Sequence, residues 1–182
     1  MRSLGAPRLL TINGIGIAAV AWFLLAVGCN SSTDDPATVA MREKFLVTNP
    51  LDSPISMTKT AEKLEAKATD SEPLQVTVVG RISAGELEPW ETGKASFMLS
   101  ELPEDGHGEG HDADNCPFCK RRAAKAPTGI VKFVDEKNET LAIDARKLFG
   151  LEKDQQVAIR GTAIASEFNT IVFVADQMYI FP

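Results

Sequence analysis

The stretch from Gln155 to Phe181, QQVAIRGTAIASEFNTIVFVADQMYIF, decides how this chain folds. Apolar side chains recur at every second place, first Val157, Ile159 and Ala163, then Ile171, Phe173 and Ala175. That period of two puts them on one face of a strand, and the polar run SEFNT between the halves reads as a connection. Gly161 interrupts the first strand, where a tightly coiled sheet needs a bulge or a close backbone approach.

Working outward, the same period returns upstream. LQVTVVGRISA (74–84) sets Val76, Val78, Gly80 and Ile82 against Gln75, Thr77 and Arg81. KASFMLSE (94–101) puts Phe97 and Leu99 on one face. TGIVKFVD (128–135) and ETLAID (139–144) read as two short strands around the turn EKN, and DARKLFGL as a helical turn closed by Gly150. Before residue 73 the period lengthens. Met57, Ala61, Leu64 and Ala68 recur at helical spacing behind Ser56, a capping residue, which predicts a helix over 57–68. PATVAMREKFLV predicts a further short helix.

Short strands, a helical turn before the penultimate one, and mid-strand Gly80 and Gly161 suit a small closed barrel better than a sandwich. The expected class is mainly β: a five- to six-stranded OB-like Greek-key barrel with short N-terminal helices and a Cys/His-containing loop insertion. LEKDQQVAIRGTAIASEFNTIVFVADQMYI resembles the last two strands of many OB-folds. ISMTKTAEKL followed by LQVTVVGRI resembles the start of exported bacterial OB-fold proteins, which place a helix before the first strand. GRISAGELEPWETGKASFMLSE, the insertion and IVKFVDEKNETLAIDARKLFGL together resemble a family of uncharacterised, exported bacterial OB-like lipoproteins. The resemblance spans about residues 55–182 and implies fold and export. It carries no activity and no catalytic residues.

The first 28 residues read as a lipoprotein signal peptide. MRSLGAPRLL has Arg2 and Arg8 and no acid, and GIGIAAVAWFLLAVG is apolar but short for a spanning helix. The ending AVG-Cys29 resembles a bacterial lipobox, which makes Cys29 the lipidated residue of the mature chain. A plain signal peptide and a membrane-anchoring helix are the alternatives. Residues 29–38 then form a polar tether, 39–72 the N-terminal helices, and 73–182 the barrel with its insertion at 101–127. The expected location is the cell envelope, outside the cytoplasm, with the membrane as partner through the lipid. Losing Arg2 and Arg8 takes the net charge from −6 to −8, which argues against nucleic acid as a partner. The basic run KRRAAK (120–125) reads as a solvated face, and Trp90 in LEPWETG as a packing residue.

The insertion carries the chemistry. HGEGHDADNCPFCKRR (107–122) holds both histidines of the chain and two of its three cysteines. The spacing His107-x3-His111-x4-Cys116-x2-Cys119 supplies two imidazoles and two thiols, the Cys2His2 set that Zn²⁺ prefers. Copper also suits thiolate with imidazole, and Asp112 or Asp114 could replace a histidine. Outside the cytoplasm a pair of thiols not held by a metal tends to oxidise. The same CPFC therefore also reads as a redox pair, with Cys116 attacking from a helix N-terminus, Lys120, Arg121 and Arg122 nearby, and Cys119 resolving. No βαβ unit surrounds it, and Lys120 stands where haem attachment needs His. A structural disulfide and an unliganded loop are the plainer readings. No nucleophile–base pair, P-loop or dinucleotide fingerprint occurs. A hydrolytic metal site would need an open position, which four protein ligands deny it, although Glu109 lies close by. The expected role is a binding or structural module organised by a metal, toward a protein or small-molecule partner, rather than an enzyme.

Overall fold

Alternation along the chain becomes five strands because each buries its even or odd positions in one interior. The computed structural model describes residues 35–67, 73–102, 116–123, 125–166 and 169–182. The strands are β1 (Leu74–Ile82), β2 (Ser96–Ser100), β3 (Thr128–Phe133), β4 (Gln156–Ala165) and β5 (Thr170–Ile180). The helices are α1 (Pro36–Phe45), α2 (Met57–Ala66), α3 (Pro117–Ala123) and α4 (Ala145–Phe149).

The strands form one mixed sheet in the order β1-β2-β3-β5-β4, which closes on itself where β4 returns to β1. Neighbours are antiparallel except β3 and β5, which run parallel. The ring is uneven. β1 pairs with β4 over eight positions, Leu74 to Arg81, but with β2 over only two, Arg81 and Ile82. The glycine expectations are met. The β4–β5 register shifts between Arg160 and Gly161. At Gly80 a β-carbon would stand 2.6 Å from Leu99 Cγ and 2.7 Å from the Ser100 carbonyl oxygen, so β1 and β2 can meet there only without a side chain.

Val78, Ile82, Phe97, Leu99, Val131 and Phe133 are fully enclosed, with Val157, Ile159, Phe173 and Met178 facing them. Each such side chain contributes about 1.5–3 kcal/mol by leaving water. Phe133 joins the ring's interior to the helices. Its ring lies 5.2 Å from Phe45 of α1 and 4.6 Å from Phe149 of α4. Arg42 ties the same two helices, donating from Nε to the Leu148 carbonyl at 2.5 Å. α2 is held by Met57, fully buried, and by Ser56, whose hydroxyl accepts from the Lys59 amide at 3.2 Å. It ends at Ala66 with Lys67 as its cap.

Besides this end of α2, short of the expected residue 68, two boundaries differ from the sequence reading. ETLAID (139–144) is no strand, and only Thr140 bridges back, to Val134. The Asp135 carboxylate accepts the amides of Lys137 and Glu139, and Asn138 takes a left-handed φ of 62°. After this turn Leu141 donates to the Phe133 carbonyl and accepts from the Ala95 amide, each at 2.9 Å, without extending the ladder further, and Asp144 then caps α4. α1 begins at Pro36, inside the stretch read as tether, because proline with its fixed φ opens a helix readily. The signal segment, Cys29 and the tether through Asp34 lie outside the described residues.

Candidate functional site

The insertion is mounted on a closed pair of strand ends. β2 enters it and β3 leaves it, and the two are in register as far as Leu99 opposite Gly129. Each stem is held by a neighbour. On the β2 side, Thr58 at the start of α2 donates to Glu101 Oε2 from its amide at 2.7 Å and from its hydroxyl at 2.8 Å. On the β3 side, the Thr128 amide donates to the Asn169 carbonyl at 3.2 Å, and Asn169 Nδ2 donates to the Lys125 carbonyl at 3.4 Å. Sequence reading passed over both Glu101 and Asn169. Their roles depend on which elements meet in space, and no local pattern announces that.

Within the insertion, Cys116 immediately precedes α3 and Cys119 lies in its first turn. Pro117 opens the helix, as its missing amide hydrogen costs nothing there. The Cys119 amide donates to Cys116 Sγ at 3.3 Å, so Cys116 takes the place a serine or aspartate fills at other helix starts. The thiolate is the species that ligates metals and attacks disulfides. Both cysteines are half-buried. Phe118 between them is 77% exposed, and Arg121 also faces solvent.

The structure thus brings Cys116 and Cys119 onto one turn. His107 and His111 lie outside the described residues, as do Glu109, Asp112 and Asp114. Among the described residues no three or more His, Cys, Asp or Glu side chains gather as a metal cluster.

Trp90 packs. Its ring meets Phe97 edge-on at 6.1 Å and carries the Arg146 guanidinium 5.6 Å from its centre. Arg146 in turn grips Asp144, Nη2 to Oδ2 at 2.7 Å. That grip, with amides of Arg146 and Gly93 also donating to the carboxylate, holds the Asp144 carboxyl down to about 2. The cluster ties the β1–β2 connection to α4.

A scan of protein-family models and a search of curated proteins both find no match to this chain.

Proposed function

We propose that this chain is an exported, lipid-anchored binding module in which an OB-like Greek-key barrel displays a metal knuckle. Support for the OB-like reading is the strand order, the parallel β3–β5 pair, and the single helix α4 between β3 and β4. In this reading Cys29 carries the lipid, outside the cytoplasm. Cys116, Cys119, His107 and His111 hold one Zn²⁺, and the ordered loop meets a protein or small-molecule partner.

The observation that carries the metal reading is the Cys119 amide on Cys116 Sγ. It fixes a turn in which a second sulfur is three residues away, which is half of a tetrahedral S2N2 site. Closing the other half from His107 and His111 would couple metal uptake to ordering of the loop. The test is elemental analysis of the purified protein with titration of its thiols. About one zinc per chain is expected. It should be lost in Cys116→Ser and in His111→Ala. Copper in place of zinc would keep the site and change the ion.

A second reading rests on the same hydrogen bond together with the position of Cys116 ahead of α3. Cys116 thiolate attacks one sulfur of a partner disulfide and expels the other as a thiolate, which takes up a proton. Cys119, losing its own proton, then attacks Cys116 Sγ, releasing the reduced partner and leaving a Cys116–Cys119 disulfide. Metal-free protein whose two thiols oxidise and re-reduce reversibly supports this reading over the first.

A further inference from the structure

The geometry points to a second site, on the outer face of the ring, for a small zwitterion bearing both an ammonium and a carboxylate group. It goes beyond the metal reading and shares no residue with the Cys turn. The segment after α1 crosses the outside of β1, β4 and β5, pinned at Leu46 against Met178 and at Ile55 against Val78. Beneath it lies a cavity of about 290 Å³ lined by Asn49, Leu51, Asp52, Thr77, Arg160 and Gln177.

Groups of opposite charge line this cavity. Asp52 and Arg160 line the same cavity without pairing with each other, and Arg160 Nε instead reaches Asp176 at 3.2 Å, where both side chains are about half exposed. An exposed pair of this kind is weak and yields its cation readily to a competing carboxylate. The side chains of Asn49, Asp52, Thr77 and Gln177 make no hydrogen bond to another described residue. Opposite charges at one cavity, two uncommitted amides, and an apolar wall from Val47, Pro50 and Leu51 match an aliphatic amino acid. Its ammonium goes to Asp52, its carboxylate to Arg160, and its side chain to Leu51. The cavity's volume, about 290 Å³, suits a ligand of that small size.

The test follows amide shifts of the full protein by NMR during titration with leucine, leucine ethyl ester and 4-methylpentanoate. Leucine should shift residues 47–52, Thr77 and Gln177 saturably, with the two singly charged analogues at least about tenfold weaker. Asp52→Asn should abolish the preference for leucine over 4-methylpentanoate, and Arg160→Gln the preference over the ester. Both positions are exposed on the surface, so each variant should keep the parent spectrum elsewhere. No saturable shift with leucine, or an ester that binds as tightly, overturns the proposal. Metal content at the Cys turn is unaffected by either result.

Discussion

At Gly161 a β-carbon would fall 2.1 Å from the Val174 carbonyl oxygen, which is backbone and has nowhere to go. Gly161→Ala should therefore destabilise by about 2–3 kcal/mol, the cost of overpacking at a fixed site, read from the shift of the urea midpoint. Asp144 acts through charge. Its carboxyl is near 3.8 when unfolded and about 2 when folded, chiefly because Arg146 donates to it. The native state thus prefers the ionised form. That stability is fully present above about pH 4 and is lost as pH falls from 4 toward 2. Arg146 is half exposed, so solvent screening holds the contribution below about 1 kcal/mol. Asp144→Asn should flatten that part of the acid unfolding profile and leave stability at pH 7 lower by the same small amount.

At the scale of elements, Met57 is the large apolar anchor of α2. Met57 is fully buried, and its methyl group stands where a β-carbon on Gly129 would have to go. Met57→Ala should cost about 2–4 kcal/mol by cavity formation, measured by thermal or urea unfolding. The Ser56 cap was legible because a capping residue ahead of an apolar stripe is a local signal, and its hydroxyl does accept the Lys59 amide. Gly150 was legible for the same reason, and it ends α4 at φ 71°. ETLAID was misread because apolar Leu141 and Ile143 alternate as in a strand. Both pack against the core, but from an irregular bend that follows the turn at Asp135. Alternation shows which side chains go inside, and a turn can bury them as well as a strand can.

At the scale of the whole molecule, the metal reading makes a thermodynamic prediction. An ion that binds only the folded chain stabilises it by about 2.7 kcal/mol at a hundred times its dissociation constant. Zinc should raise the thermal midpoint of the wild type and a chelator should lower it, while Cys116→Ser should respond to neither. The sequence by itself determined the mainly β class, the buried faces of β1, β2, β4 and β5, the caps at Ser56 and Gly150, and the placing of CPFC in one long insertion. These follow from periodicity and from conformational preferences that act over a few residues. Tertiary structure alone decided that β3 runs beside β5, that β4 closes on β1, and that Glu101 and Asn169 grip the stems of the insertion. It also decided that Asn49 and Asp52 share one cavity with Arg160, which lies far from them in the chain. Such contacts join distant segments, so their energy depends on how the ring shears and closes, and no window of neighbouring residues encodes it.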